Sequence, residues 1–471
     1  MRSKPLALTN VDSSVVLSSE AAPVRENAPR ADAWSLQPEA DAMSLNPTLR
    51  RAAAGLVRDP GLAVSFVQRF DAQEGLPPER LAGKEALLRQ DARSFFSANP
   101  ALFYADLNGA FADKKALLGR PAPRLVIDGD AHLGNFGTFR GADGHTVWGL
   151  NDFDQAGTGS PEWDLERLAT SAVLAARQAG LDKDAQKALV QDIGRHYFGA
   201  VQALAKAKKP GSAPLGAREA SGPVRDLIDA SEAVKRGDFL AKWVEGSDAQ
   251  GWRFLQTKEL RPVTPERAAQ LETALRGYER GVAGGAKAAV PLRILATAEK
   301  LGSGGSSFGL NRYYVLVANA DPSKKPVVLE VKQLLPSPLP KQDADLHRAD
   351  ADQVVGDQQT LGSAPNPLTG AATLDGYSYL VRELEPEKAR VAVDKLGSGD
   401  LTKLCEQAAE VLARSHAQVP GQAAAIQAWV KDDATKAAGS LWDFARSYAD
   451  QAEADFAAFK DATSGKKKKG A

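Results

Sequence analysis

The chain has 471 residues, 43% of them hydrophobic, and its 59 Lys and Arg residues balance 59 Asp and Glu. That length fits about three domains with a sizeable core, and the neutral balance removes any whole-chain argument for nucleic acid or an anionic membrane as partner. The single cysteine, Cys405, excludes an internal disulfide and a cysteine zinc site. No run of about 18 apolar residues marks a membrane span, and no apolar stretch typical of a secretory signal follows the basic N-terminal residues, so a cytoplasmic location is expected.

Residues 1–48 carry Pro5, Pro23, Pro29, Pro38 and Pro47 among small polar residues, the composition of a disordered leader. Residues 49–121 read as a helical segment, clearest in "ERLAGKEALLRQDARSFFSA". "RLVID" and "HTVWGLND" then read as strands, with a turn at "GADG". In "GSPEWDLERLATSAVLAARQAG", Ser160 suits a cap, Pro161 the first turn, and Leu165, Leu168, Ala169 and Ala172 one helix face. Further helices are expected to about 285, broken by a loop at "KKPGSAPLG".

Near 291 the pattern changes. "LRILATAEKLGSGGSSFGLNRYYVLVANADPSKKPVVLEVKQLL" predicts three antiparallel strands. A helix is predicted over about 346–360 and another strand at "GYSYLVREL". From 387 the chain reads as helical again; Leu401, Leu404, Cys405, Ala408, Leu412 and Ser415 fall on one stripe. A solvated basic tail closes the sequence over 463–471.

The chemistry-bearing residues are concentrated in "RLVIDGDAHLGNFG" and "NDFD". Phosphoryl transfer needs a carboxylate to orient the attacking hydroxyl and oxygen ligands to hold magnesium against phosphates. Asp130 suits the base. Asn135, five residues on, and Asp152, at the end of the next strand pair, suit the metal. Asp164 can brace the loop from a helix N-terminus. His132 reads as a structural loop residue, since only His145 is near it in sequence.

A second cluster is "LGSGGSSFGLNRYYVLVA". Gly302, Gly304, Gly305 and Gly309, with Ser306 and Ser307, form a loop whose backbone N–H groups can approach phosphate oxygens. "VVLEVKQ" then places Lys332 near a strand end, as a phosphate-contacting lysine requires. Arg312 suits either a phosphate or a surface acid, and Arg382 either the cleft or Glu385. Trp148 and Trp163, beside apolar neighbours, read as core, and Cys405 as inert packing.

The order strand, D-x4-N loop, strand-turn-strand, "DF", "GSPEWDL" resembles the catalytic core of aminoglycoside and choline phosphotransferases, relatives of protein kinases. In those enzymes the loop reads roughly H-G-D-x-H-x-x-N. Here Asp128 replaces the first histidine, and Asp154 stands where protein kinases have glycine, as an extra candidate metal ligand. The resemblance implies ATP and Mg2+ as cofactors.

The glycine loop and Lys332 follow the catalytic loop, whereas kinases place them before it. Read from about 291, the order becomes glycine loop, lysine strand, helix, the hinge-like "YSYLVRELEP", and the helix "CEQAAEVLARSHAQ"; the next kinase piece is "VIDGDAHLGN" at 126. The expected fold is therefore α+β, a circularly permuted protein kinase-like two-lobe fold with extra helices. Region 122–290 would be the catalytic lobe, 291–386 the nucleotide-binding antiparallel sheet, and 387–462 helices packing on the catalytic lobe. Lys332 is expected to face Asp152 across the cleft.

The words "FYADL", "GDAHLGNFG", "NDFDQA", "WDLERLATS", "GLNRYYVLV", "LEVKQ", "YLVRELEPEK" and "ARSHA" resemble an uncharacterised bacterial family, domain of unknown function 2252. Its glycine loop usually reads closer to G-x-G-S-x-G, and Ser306 stands here in place of the second glycine. The expected function is an ATP- and magnesium-dependent phosphotransferase acting on a hydroxyl of a small-molecule or protein acceptor. The alternatives are a nucleotide-binding pseudokinase, a metal-dependent phosphoester hydrolase using the same carboxylates, and nucleotidyl transfer to a protein hydroxyl.

Overall fold

The structure is a computed structural model that describes residues 56–113, 117–207, 211–283, 292–302, 304–319, 321–340, 350–363 and 366–464. The leader expected over 1–48 and the tail beyond Ser464 lie outside the described residues.

Among the described residues the first region holds four helices, α1 (Pro60–Gln73), α2 (Pro78–Leu88), α3 (Ala92–Ala98) and α4 (Pro100–Asn108). Asp59 and Asp91 cap α1 and α3 by accepting from the backbone N–H groups of Gly61 and Ser94. The described residues of 109–121 make turns rather than the expected helix.

β1 (Leu125–Ile127), β2 (Phe136–Arg140), β3 (Thr146–Leu150) and β4 (Gly157–Gly159) follow. β2 and β3 form the hairpin around the "GADG" turn, while β1 pairs antiparallel with β4, a partner too short to stand out in the sequence. Next come α5 (Pro161–Gln178), capped by Ser160 with Pro161 at its start, and α6 (Lys183–Lys206), capped by Asp182. Then β5 (Leu215–Gly216), α7 (Gly222–Glu232) and α8 (Arg236–Leu240) follow.

The expectation of helices to about 285 is corrected over 244–262. This stretch forms the hairpin β6 (Val244–Ser247) and β7 (Gly251–Phe254), then β8 (Leu260–Pro262). Gly246 and Gly251 adopt positive φ, which breaks any helical run. α9 (Pro265–Ala283) follows, and then β9 (Ile294–Lys300), β10 (Arg312–Val317) and β11 (Val327–Gln333), which are the three predicted antiparallel strands. After α10 (Ala351–Thr360), β12 (Gly370–Leu374) and β13 (Tyr377–Glu383) complete a six-stranded sheet of order β12-β13-β11-β10-β9-β8. The sheet thus takes β8, and α9 as a cover, from the region assigned by sequence to the preceding lobe.

Both faces of this sheet are covered, which explains the nearly continuous apolar runs of β10 and β11. Tyr313, Val315, Leu329 and Val331 pack under Leu271, Leu275 and Tyr278 of α9. On the opposite face Tyr314, Leu316 and Val328 meet Leu240, Val244, Phe254 and Leu260. The period-2 pleat then puts Arg312, Glu330 and Lys332 on that second face, at its far end. One sheet face therefore changes along the strands from apolar core to a row of charges.

The chain after β13 is the second correction. Residues 387–397 are not helical; they run past β2, where Ala389 and Thr138 bridge, and include a short 3-10 turn at Val393–Lys395. Pro386, Val391, Val393 and Gly397 give this stretch little helical tendency. α11 (Ser398–His416), α12 (Gln422–Val430) and α13 (Ala434–Thr463) then close a helical body with α5 and α6. The stripe Leu401, Leu404, Cys405, Ala408, Leu412 and Ser415 is buried there, as are Trp148 and Trp163. No helix among the described residues is long and apolar enough to cross a membrane.

Candidate active site

The loop leaving β1 is held by backbone contacts. Asp164, in the first turn of α5, accepts from the N–H groups of Asp128 at 2.8 Å and Gly129 at 2.9 Å. Gly129 has φ 77°, and a Cβ there would run into the Gln155 carbonyl. The Tyr104 hydroxyl donates to the Gly129 carbonyl at 2.8 Å, and the Asn135 side-chain amide donates to the Asp130 carbonyl at 2.9 Å. His416, at the end of α11, lies 3.1 Å from Asp164 and 2.8 Å from the Tyr197 hydroxyl. Asp164 thus joins the loop to α11.

Asp128, Asp130 and His132 are all buried. Asp128 accepts from the Asp130 N–H at 3.3 Å, and burial beside Asp164 pushes its carboxyl well above the usual range. His132 Nδ1 accepts from the Gly134 N–H at 3.0 Å, a loop-shaping role, and burial together with Arg167 holds its pKa low. Asp130 pairs with Arg167, whose guanidinium is fully buried over the rings of Phe96 and Phe103 at 4.6 and 5.3 Å. Burial raises the Asp130 carboxyl to about 7 even though Arg167 opposes the shift.

Asp152 and Asp154 follow β3 and meet the sheet. Lys332 Nζ lies 3.2 Å from Asp152 Oδ1 and also contacts Asp154. Arg390 Nη2 lies 3.7 Å from Asp152 Oδ2, and Lys388 Nζ donates to the Asn151 carbonyl at 3.2 Å. Burial alone would raise Asp152, but Lys332, Arg382, Lys388 and Arg390 outweigh it and hold this carboxylate well below its usual range. Asp154 goes the other way, raised by burial beside Asp152. Burial beside Arg382 lowers the Lys388 amine to about 7.

Arg382 does not pair with Glu385. It and Arg312 bind opposite oxygens of buried Glu330, each at 2.8 Å. Arg312 therefore finds a buried acid rather than a surface one, and it also reaches the Ser307 hydroxyl at 3.2 Å. The glycine segment lies over the acidic loop: Gln155 Nε2 is 3.3 Å from the Ser306 hydroxyl. Gly302, Gly304 and Gly309 have φ values of 68°, 104° and 93°, the left-handed region that glycine tolerates; Gly305 does not need it.

The arrangement joins Asp130, Asn135, Asp152, Asp154, Lys332 and Ser306 into one region from two distant parts of the chain. Among the described residues no three His, Cys, Asp or Glu side chains form a metal cage by themselves. Magnesium needs only one or two carboxylates alongside phosphate oxygens. Asp154 Oδ1 is buried with no hydrogen-bond partner among the described residues, which suits that donor set.

Residues 76–462 match the model of a family described as an uncharacterized protein conserved in bacteria, DUF2252. The chain belongs to this family. No curated protein and no solved structure matches it. The DUF2252 span contains every residue of the region above, including several that sequence reasoning missed: Arg167, Glu330, Lys388, Arg390 and Gln155. Four of these stand inside the words "WDLERLATS", "LEVKQ", "YLVRELEPEK" and "NDFDQA". Contacts with partners distant in sequence left no local pattern that would have singled them out.

Proposed function

We propose that this DUF2252 chain is an ATP- and magnesium-dependent phosphotransferase of kinase-like fold, circularly permuted in chain order, that acts on a hydroxyl. The observation that carries the reading is the meeting of Lys332, from the sheet, with Asp152 and Asp154, at the end of the acidic hairpin. A lysine opposite paired carboxylates, beneath a segment of glycines and small polar residues, suits a metal-bound phosphate chain.

Asp152, Asp154 and Asn135 would hold magnesium, which supplies charge neutralisation at the phosphates when bound. Lys332 would turn from the carboxylates to phosphate oxygens. Asp130 takes the hydroxyl proton as the acceptor oxygen bonds to the γ-phosphorus and the bond to ADP breaks. A carboxyl near pH 7 is suited to that task. Arg390 would add positive charge near the metal-binding carboxylates, whereas Arg312 and Arg382 are balanced in part by Glu330.

The test is binding of Mg·ATP by calorimetry together with ADP release. Asp130→Asn should keep binding and lose turnover, while Asp152→Asn should lose metal-dependent binding. A wild-type protein that binds no Mg·ATP at millimolar concentration would end this reading.

A further inference from the structure

The glycine segment is gripped from outside the sheet. α1 and α2 form a hairpin rooted in the helical body, where Val64, Val67 and Leu88 pack with Phe459 of α13. Its corner is stapled by buried Lys84, whose Nζ lies 2.7 Å from Asp71 and 2.8 Å from Glu74. That corner presents Leu76 and Arg80 to the sheet. Arg80 Nη1 donates to the Gly309 carbonyl and to Asn311 Oδ1, both at 2.9 Å, and Arg80 Nη2 pairs with Glu299 of β9. Leu76 lies against Gly309, where an added Cβ would sit 2.9 Å from Leu76 Cδ1.

The grip continues to the site. Asn311 N–H donates to Gln333 Oε1 at 3.0 Å, and the Gln333 N–H donates to the Asn311 carbonyl at 3.0 Å. Gln333 follows Lys332, and Arg312 is paired with Lys332 in the ladder. One guanidinium thus ties the end of β9, the end of the glycine segment and the start of β10 to a hairpin that belongs to the other body. An arginine with a planar, five-donor head is the side chain suited to such a multiple contact.

We infer that Arg80, seated by Leu76 and the Lys84 staple, is a positioning residue that sets where the glycine segment and Lys332 stand relative to Asp152. Its effect on nucleotide affinity rests on the function proposed above. Its effect on the segment itself stands without that reading.

The test combines amide hydrogen exchange with the thermal shift produced by Mg·ATP, on the full chain, for wild type, Arg80→Ala, Arg80→Lys and Asn311→Ala. The Phe308 and Leu310 amides, which donate to the Gly305 and Ser307 carbonyls, report on the segment. In Arg80→Ala they should exchange about tenfold faster while α2 amides keep their rates. Arg80→Lys, which can restore one contact, should fall between. Mg·ATP affinity should drop by about tenfold in Arg80→Ala, which equals about 1.4 kcal/mol. Asn311→Ala removes the partner on the sheet side and leaves the hairpin whole, so it covers the case in which Arg80→Ala fails to fold; it should also speed the two amides. Unchanged exchange at Phe308 and Leu310 in the folded variants overturns the assignment. Faster exchange in Arg80→Ala with no Mg·ATP shift in the wild type supports the strut and removes the nucleotide.

Discussion

Lys332 and Asp152 stand 180 residues apart in the chain, yet the lysine amine lies 3.2 Å from the carboxylate. Asp154 shares the same amine. Lys332 is buried while Asp152 is partly open, so the contact is shielded from solvent mainly on the lysine side.

Removing one side of that contact strands the other. Lys332→Met should leave Asp152 and Asp154 facing each other and cost about 3 kcal/mol, read as a lower urea midpoint. The same variant should lose the thermal shift with Mg·ATP that the wild type is expected to show. A variant as stable as the wild type would mean that the pair contributes nothing to the fold.

Asp130 carries a pH signature. Burial raises its carboxyl to about 7 in the folded chain, above the unfolded range, so its stabilising contribution is complete below about pH 4 and is lost as pH rises through 7. From pH 5 to pH 8 the wild type should lose about 3 kcal/mol relative to Asp130→Asn in urea titrations. If Asp130 is the proposed base, turnover should move the other way and rise across pH 7, because a base acts in its ionised form. A flat stability difference would show that Asp130 is ionised throughout.

Asp164 is predicted to govern the loop without touching substrate. Asp164→Asn retains one oxygen for two backbone donors, Asp128 and Gly129, and turns an amide toward the other. An unsatisfied buried N–H costs about 1–3 kcal/mol. The variant should melt lower, with most of the extra exchange at residues 128–130. Equal protection there would show that Tyr104 and Asn135 suffice to hold the loop.

Cys405 offers a control. Burial on α11 pushes its thiol pKa up, and the side chain is fully enclosed. It should resist a thiol reagent at pH 8 in the native chain and react once urea unfolds it. Fast native labelling would mean that α11 opens locally.

The amino-acid order makes legible the elements whose signals are local. Ser160 and Pro161 announce α5, the β-branched runs announce β10 and β11, and the stripe on α11 is the buried one. It also determined the words in which Asp130, Asn135, Asp152, Asp154 and Lys332 stand. These signals survive because caps, turns and side-chain periods depend on neighbours within a few residues. What those residues meet depends on how the elements pack. α5 looks amphipathic, with Glu162, Asp164, Glu166 and Arg167 on it, yet these four are buried, because β1, α3, α11 and α13 surround the helix. The strands at 244–262 draw their order from pairing with each other and with β9, and residues 387–397 from lying along β2. Arg167 with Asp130, Glu330 between Arg312 and Arg382, and Arg80 on Gly309 are all contacts across the fold. Their energy comes from burial and geometry at a single point in space, which no stretch of adjacent residues records.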